Sequence, residues 1–231
     1  MDLLVDGLRQ AVFLLLGGDP EIWAVLWLSL QVTGSATVLA LLVGIPAGVG
    51  LALTRFPGRT LVVSGVNTGM GLPPVVVGLF VTLLLWRSGP LGGWEILYTP
   101  FAIVIAQAVI ASPIVTGITL AAVQNVPAKF RVQLLALGAS RTQMIWIVIR
   151  EARLPMLAAV MAGFGGIISE IGASMMVGGN IKGHTRTLTT AMVLETGKGN
   201  FEVAIALSIL LLTLVFCANW ALTALQQRRP G

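Results

Sequence analysis

The sequence predicts an all-α membrane protein with about five transmembrane helices, and three observations support that fold class. The 231 residues are 56% hydrophobic and only 10% charged, and their mean hydropathy is +0.94, whereas soluble domains carry about 25% charged residues. Five apolar stretches are long enough to cross a bilayer, since a helical span needs about 20 residues. No linker or second soluble domain interrupts them, so residues 1–231 form one transmembrane domain.

The apolar stretches follow one another with short connections. The predicted spans lie within 22–54, 60–86, 96–128, 154–177 and 203–225. The second contains Leu72-Pro73-Pro74, and proline breaks or kinks a helix because it lacks a backbone N–H donor. The fourth contains Glu170, the one carboxylate placed deep in a predicted span.

The N-terminal segment, residues 1–20, is predicted to be an interfacial helix. Its apolar core over 11–16 is too short to span a bilayer. Asp2 and Asp6 stand where a cleaved signal peptide would carry Lys or Arg. We therefore expect this segment to lie at the membrane surface and to be retained.

The distribution of basic residues predicts the orientation, because cytoplasmic loops of membrane proteins are enriched in Lys and Arg. With five spans, nine of the 14 basic residues fall on one side: Arg55, Arg59, Lys129, Arg131, Arg141, Arg150, Arg153, Arg228 and Arg229. The other side holds the remaining five and most of the acidic residues. We therefore expect the N-terminus outside and the C-terminus in the cytoplasm.

Composition also argues against several classes of function. A single cysteine, Cys217, and a single histidine, His184, cannot form an intrachain disulfide or a Cys/His metal cluster. No phosphate-binding loop ending in Gly-Lys-Ser/Thr is present, so any ATP hydrolysis belongs to another subunit. The basic residues are dispersed over loops rather than forming a patch with aromatic residues, which argues against nucleic acid. We expect a non-catalytic chain with no cofactor.

Residues 127–153 predict two short helices between the third and fourth spans. Pro127 suits the first turn of a helix, and Gly138 suits its C-terminal end. Ser140 and Gln143 have the spacing of a capping box, which predicts the start of the second helix. This segment is expected to form a helical hairpin on the cytoplasmic side.

The first of these helices places Phe130, Leu134 and Leu137 on one face. An exposed apolar face of this kind needs a partner, and a cytosolic protein would supply one. The basic residues nearby would equally suit a hairpin that lies on lipid headgroups. The residues alone leave both interpretations open.

The same segment resembles the cytoplasmic loop of ABC importer permeases. The match lies in the glycine core of 136–140, Ala-Leu-Gly-Ala-Ser, whereas Val132, Gln133 and Leu134 replace the acidic-Ala-Ala start of the family pattern. Leu154-Pro155 also falls about one helical turn later than the pattern requires. The resemblance implies an ATPase-coupling role for Phe130, Leu134, Ala136, Gly138, Ala139, Ser140 and Arg141.

A stronger resemblance covers nearly the whole chain and is centred on 169–212, which is similar to tungstate-type ABC permeases, relatives of the molybdate permeases. The residues that carry it are Glu-Ile-Gly-Ala at 170–173, Met-Val-Gly-Gly-Asn at 176–180, Thr-Arg-Thr-Leu-Thr-Thr at 185–190 and GLPPVVVGL at 71–79. The resemblance implies a type I importer fold in the inner membrane and a second copy of this subunit. It also implies cytosolic ATPase subunits and an extracytoplasmic binding protein.

The implied substrate is tungstate or a related oxyanion. A permease for another anion, such as molybdate or sulfate, is the first alternative. A secondary carrier or membrane anchor without an ATPase is the second.

Two groups of residues are candidates for the translocation pathway: Pro73, Pro74, Val75 and Val76 in the second span, and Ser169, Glu170 and Ser174 in the fourth. The family resemblance implies an apolar constriction for the first group; a tolerated packing kink is the alternative. A charge at the position of Glu170 costs about 3 kcal/mol or more, so it should face protein or water. Because a carboxylate repels an oxyanion, we expect a structural or gating role; protonation, or pairing with Arg153 or Lys182, is the alternative.

Residues 178–200 are predicted to form an outer-mouth loop and a short helix over 187–196. The loop 178–186 is rich in glycine and cationic, and successive backbone N–H groups with Lys and Arg attract anions. The residues expected to guide an anion are Asn180, Lys182, Thr185, Arg186 and Thr189. An ordinary extracellular turn with solvated charges is the alternative.

Overall fold

The computed structural model describes residues 20–227 together with Val5, Gly7, Arg9 and Phe13. The rest of the predicted interfacial segment 1–20, and the basic residues Arg228 and Arg229, lie outside the described residues. Between 20 and 227 the chain forms ten α-helices, one short 3-10 helix and no strand. The α-helices are α1 (Pro20–Leu53), α2 (Arg59–Met70), α3 (Pro74–Leu85), α4 (Pro100–Gln124), α5 (Ala128–Ala136), α6 (Arg141–Glu151), α7 (Arg153–Ile168), α8 (Gly172–Gly178), α9 (Leu188–Gly197) and α10 (Phe201–Gln227).

Three of the described helices, α1, α4 and α10, are long and apolar enough to cross a membrane on their own. Two further spans are broken: α2 and α3 meet at a bend of 102°, and α7 and α8 meet at a bend of 61°. With each bent pair taken as one span, the total is five. This agrees with the five spans predicted from the sequence.

The first break has the cause that the sequence predicted. Helix α2 ends at Met70, Pro73 has an extended backbone at the N-cap of α3, and Pro74 occupies the first helical position. Proline fits that position because its missing N–H has no intrahelical partner there. The result is a sharp turn of direction rather than a mild kink.

The second break corrects the sequence prediction, which expected one span over 154–177. The helix ends at Ile168, and Gly172 begins the next one. The Ser169 hydroxyl donates to the carbonyl oxygens of Gly165 and Gly166 at 3.1 and 3.3 Å. Side-chain bonds of this kind compete with the regular backbone pattern, and the chain turns at that point.

The core of the bundle forms where α1, α3, α4, α7 and α8 meet, and small residues let the helices approach closely. On α1, Ala36 and Ala40 are fully buried. A Cβ atom on Gly48 would lie 2.7 Å from the Thr116 carbonyl oxygen of α4. Glycine is therefore required at this position for α1 and α4 to pack as they do.

The two ends of α1 contact different parts of the chain. Its 34 residues make it about 51 Å long at 1.5 Å per residue. Glu21 in its first turn contacts the 178–186 loop. Val49 and Leu53 near its other end pack with Phe130 and Met144 of the α5–α6 hairpin. The loop and the hairpin therefore lie at opposite ends of α1.

Candidate functional site

The two broken spans meet each other at their second halves, α3 and α8. A Cβ atom on Gly78 of α3 would lie 2.7 Å from the Ala173 Cα of α8. A Cβ atom on Gly172 would lie 2.6 Å from a side-chain methyl of Val75. The two segments proposed from the sequence as pathway candidates, 73–76 and 169–174, are therefore in direct contact in the folded chain.

Glu170 lies in the break between α7 and α8 rather than inside a helix, which corrects its predicted setting. Its Oε1 accepts a hydrogen bond from the Ala173 backbone N–H at 2.9 Å, and the residue is half-buried. A carboxylate at a helix N-terminus satisfies backbone donors that lack an intrahelical partner. Lys182, one suggested partner, pairs with Glu21 instead. The carboxylate of Glu170 therefore begins α8.

Gln107 of α4 is a polar residue of this site that the sequence analysis missed. It is 3% exposed, and its Nε2 donates to the Ile167 carbonyl oxygen at 3.2 Å and to the Ser174 hydroxyl at 3.4 Å. Its Oε1 has no hydrogen-bond partner among the described residues. Gln107 thus links the two halves of the broken span, α7 and α8. A lone amide within an apolar span was the signal that could have identified it.

The rim of the breaks is exposed and mostly apolar. Val75 and Val76 are 56% and 37% exposed, Pro73 and Ser169 are exposed, and Pro74 is half-buried. Ser174 is buried beneath them. The pathway candidates thus divide into an apolar rim and a buried polar layer that contains Ser174 and Gln107.

The loop 178–186, named here the cationic loop, is a compact turn that bonds to itself. Gly179, Asn180 and Gly183 have φ values of 70°, 51° and 73°, in the left-handed region that glycine and asparagine tolerate best. The Ile181 carbonyl oxygen accepts from the backbone N–H groups of three residues, His184, Thr185 and Arg186, at 3.0–3.1 Å. The fold of this loop is set by its own backbone.

The threonines that the sequence suggested as anion donors point inward in this structure. Thr185 is 1% exposed; its Oγ1 donates to the Gly178 carbonyl oxygen at 2.5 Å and accepts from the Ile181 N–H at 2.9 Å. Thr189 is 3% exposed, and its hydroxyl donates to the Glu170 carbonyl oxygen at 3.2 Å. The Thr189 hydroxyl joins α9 to the break at Glu170, and the Thr185 hydroxyl joins the loop to the end of α8.

Asn180 and the start of α9 lie in a second buried polar layer, together with Thr185 and Thr189. Thr187 and Thr190 form a reciprocal capping box at the start of α9. The Asn180 Nδ2 donates to the Thr190 carbonyl oxygen at 3.3 Å, whereas its Oδ1 is buried without a partner among the described residues. Ser29 of α1 accepts from the Leu188 N–H at 2.8 Å. The layer therefore holds α1, the cationic loop and α9 together.

Two cations of the loop face the first turn of α1. Lys182 Nζ lies 2.7 Å from Glu21 Oε2, and Arg186 Nη1 lies 3.5 Å from Glu21 Oε1. The Lys182 side chain is 67% exposed and that of Arg186 is 16% exposed. A cavity of about 510 Å³ beside them is lined by Pro20, Glu21, Ala24, Val25, Trp27, Leu28, Gln31, Lys182, Gly183, His184 and Arg186. The sequence predicted the two cations but not their carboxylate partner.

The hairpin of α5 and α6 has the two turn signals that the sequence predicted. Gly138 has a φ of 86°; its N–H bonds to the Leu135 carbonyl oxygen, and the Ala139 N–H bonds to that of Leu134, both at 3.0 Å. This is a Schellman ending. The Ser140 Oγ accepts from the Gln143 N–H at 3.2 Å, and the Gln143 Oε1 accepts from the Ser140 N–H at 2.8 Å. The capping box is confirmed.

The outer surface of the hairpin carries an apolar groove of about 800 Å³, lined by Leu134, Leu137, Gly138, Ala139, Thr142, Gln143, Trp146 and Ile147. Leu137 is 86% exposed and Trp146 is 59% exposed. Ala136, Ser140 and Arg141 are exposed beside it. Phe130, in contrast, packs inward against the buried cluster that contains Val123 and Val148. Of the residues proposed for coupling, Phe130 therefore anchors the hairpin and the others form its surface.

A third polar cluster lies where α9 joins α10. Glu195 accepts hydrogen bonds from Asn200 Nδ2 and Lys198 Nζ, both at 2.7 Å. These bonds favour the charged carboxylate, Asn200 contributing most, and they hold the pKa of Glu195 below its usual value of 4.5.

In the part of the chain that the structure describes, no group of three or more His, Cys, Asp or Glu could hold a metal ion.

The comparison with protein families decides the class of this chain. Residues 44–230 match the model of the binding-protein-dependent transport system inner membrane component. The chain belongs to this family. It is therefore a membrane-spanning, non-catalytic subunit of an inner-membrane transport system. In such systems ATP hydrolysis resides in a separate subunit, and a binding protein delivers the solute.

Individual relatives cover most of the chain. A probable anion ABC transporter permease protein of Haloferax volcanii is 42% identical over 208 residues, which are 88% of this chain and 90% of that protein. The tungstate uptake system permease protein TupB of Peptoclostridium acidaminophilum is 37% identical over 227 residues, which are 98% of this chain and the whole of that protein.

The fold has a close counterpart among solved structures. An inward-facing structure of the MetNI methionine ABC transporter contains a chain that superposes with a TM-score of 0.74 at 22% identity. The match covers 91% of this chain and 98% of the other. The predicted type I ABC importer permease fold is confirmed.

Proposed function

We propose that this chain is the membrane-spanning subunit of an ATP-driven importer that translocates tungstate, or a related oxyanion, delivered by an extracytoplasmic binding protein. The substrate class rests on the tungstate uptake permease that matches 98% of the chain. The observation in the fold that carries the proposal is the open apolar groove of the hairpin, at the end of α1 opposite to the cationic loop.

The hairpin groove is the proposed ATPase contact. Large apolar patches on a water-facing surface mark interaction sites, and Leu137 is 86% exposed among the residues that the structure describes. Leu134, Ala136, Gly138, Ala139, Ser140 and Arg141 would form the contact, with Phe130 fixing the hairpin to the bundle. The sequence left open an alternative, a hairpin that lies on lipid headgroups. Co-purification of an ATPase subunit would distinguish the ATPase contact from this alternative.

The paired breaks are the proposed gate, and they imply a second copy of the chain. Pro73, Pro74, Val75 and Val76 supply an apolar rim, and Ser169, Glu170 and Ser174 lie behind it. One copy leaves this rim open, so we propose that two copies face each other across it and form the pathway between them. ATP-driven closure of the ATPase subunits would move the hairpins and thereby separate or join the rims. The hairpin and the C-terminus would be cytoplasmic, and the N-terminus outside.

The cationic loop is the proposed entry for the anion. Lys182 and Arg186 with Glu21 form a cluster with a formal net charge of +1, which attracts an anion that comes near it. Asn180, Thr185 and Thr189 are bonded inside the protein, so we propose that their hydrogen bonds hold the cationic loop in the conformation that it has in this structure. A permease for another anion, such as molybdate or sulfate, would use the same geometry.

The test is ATP hydrolysis by the permease co-expressed with its ATPase subunit and reconstituted in liposomes. The binding protein is added empty or loaded with tungstate, molybdate or sulfate. We expect the tungstate-loaded protein to stimulate hydrolysis above the empty one. Stimulation by a different anion alone would change the substrate, whereas the absence of any co-purified ATPase would favour a secondary carrier or membrane anchor.

A further inference from the structure

We propose that Lys182 and Arg186 form an oxyanion site whose resting occupant is the carboxylate of Glu21, so that an incoming anion must displace this internal competitor. The inference rests on the proposed function for the class of ligand, a small dianionic oxyanion. It adds Glu21 of α1 to the site, where this residue competes with the incoming anion instead of binding it.

The geometry of the three side chains is that of an occupied anion site. Each oxygen of the Glu21 carboxylate faces a different cation: Oε2 lies 2.7 Å from Lys182 Nζ and Oε1 lies 3.5 Å from Arg186 Nη1. A planar group with two oxygens therefore bridges an ammonium and a guanidinium. A tetrahedral oxyanion presents pairs of oxygens in the same way, and Arg binds such pairs through parallel N–H groups.

Arg186 is placed by the fold and retains donor capacity. Its backbone N–H is bonded to Ile181, and the following residue, Thr187, caps α9. Its side chain is 16% exposed, and its buried Nε has no partner among the described residues. A buried donor without a partner is unfavourable. The described residues therefore leave part of the donor capacity of Arg186 unused.

The adjoining cavity offers room for such a ligand. Its volume of about 510 Å³ is large for a tetrahedral oxyanion, and its polar lining includes Gln31, His184 and the three charged residues. The amide of Gln31 is a neutral donor beside the cations. The anion can therefore enter beside Glu21 before the carboxylate leaves.

The balance of charge favours exchange. Glu21 and Lys182 are 43% and 67% exposed, and ion pairs with that exposure contribute little to stability. A dianion interacts with the two cations with about twice the Coulomb energy of a carboxylate at the same distance. Because an anion must displace the Glu21 carboxylate, the site selects anions by charge and favours dianions over chloride. Displacement of the carboxylate would also free the first turn of α1 from the cationic loop.

The test measures anion binding to the permease–ATPase complex in nanodiscs without binding protein, by equilibrium dialysis against sodium tungstate. In Glu21→Gln the competitor is neutral. If the carboxylate occupies the site in about nine molecules of ten, the apparent Kd should fall about tenfold. Lys182→Gln and Arg186→Gln should weaken binding in both the parent and the Glu21→Gln background. Sulfate should compete with tungstate, and chloride at equal ionic strength should not.

A matched control is present in the chain. Glu151 is an exposed carboxylate of α6, at the end of α1 opposite to the cationic loop, so Glu151→Gln removes one negative charge far from the site and should leave the Kd unchanged. Should Glu21→Gln fail to assemble, Glu21→Asp shortens the reach by one methylene and should give a smaller gain in affinity. An unchanged or raised Kd in an assembled Glu21 variant would overturn the inference. Because dialysis needs no binding protein, failure of ATPase stimulation in the parent complex would refute the proposed function separately.

Discussion

The hairpin and the cationic loop are both short, basic and turned by glycine, yet they differ in what they leave unsatisfied. In the cationic loop the buried Thr185 hydroxyl both donates and accepts, and the atoms left without a partner among the described residues are polar, Asn180 Oδ1 and Arg186 Nε. In the hairpin the turn is equally well capped, but Leu137 and Trp146 remain 86% and 59% exposed. The comparison indicates that the loop is built for a defined shape and that the hairpin is built for a partner.

The strongest test of this difference is Gly138→Asp in the hairpin. A Cβ there has no atom within 4 Å, so the change adds only the cost of a left-handed residue, about 1–2 kcal/mol at most. The new carboxylate would be desolvated against the ATPase surface, which costs several kcal/mol. We expect loss of the ATPase subunit on co-purification while the permease stays in the membrane.

Gly138→Ala is the control for this experiment, because it carries the same backbone strain without the charge. It should retain most of the ATPase subunit. If Gly138→Asp also retained it, the hairpin would not be the contact and the proposed difference between the two regions would fail.

A change in the cationic loop should have the opposite pattern. Thr185→Val keeps the volume but removes both hydrogen bonds of a buried hydroxyl, and it leaves the Gly178 carbonyl and the Ile181 N–H unsatisfied. We expect a loss of about 1–3 kcal/mol in the free energy of unfolding, with ATPase co-purification intact. The measurement is thermal unfolding of the purified complex in detergent.

Thr196→Val on α9 is matched to this change. Its hydroxyl is exposed and donates to the Met192 carbonyl oxygen of its own helix at 2.8 Å, so its loss should change stability by less than about 0.5 kcal/mol. Equal effects of the two substitutions would mean that the loop is not specially dependent on its buried bonds.

The smallest expected effect on stability comes from the turn between α9 and α10, where the Glu195 carboxylate accepts hydrogen bonds from Lys198 and Asn200. Because the pKa of Glu195 is lowered on folding, its contribution to stability is present above the usual pKa of 4.5 and is lost as the pH falls through the folded value. Glu195→Gln should therefore lower Tm slightly near pH 7, and the difference from the parent should vanish in acid. A difference that persisted below about pH 3 would assign the effect to packing rather than charge.

The features that the sequence predicted correctly are those with local causes. Gly138 ends α5 and the Ser140–Gln143 box begins α6 because both depend on residues within four positions. Pro73 and Pro74 break the second span for a reason carried by the proline ring itself. The count of five spans follows from length and hydropathy.

The features that it missed depend on contacts between distant parts of the chain. The break at 169–171 has no proline, and Glu170 looked like a charge within a helix because its role as the acceptor for Ala173 appears only once the chain turns. The Glu21–Lys182 pair joins residues on different elements, which no local pattern reveals. The threonines of 185–190 carry the composition of an anion site, and only their burial shows that their hydroxyls are already used.

The contact of Gly78 with Ala173 bears on how abruptly a gate built from the two broken spans can respond. A Cβ at residue 78 would stand 2.7 Å from the Ala173 Cα, so the two backbones touch without an intervening layer of side chains. Flexible side chains absorb small displacements by changing rotamer, but bare backbone surfaces in contact cannot. We therefore expect a displacement of α3 to carry α8 with it, so that the two helices move as one unit.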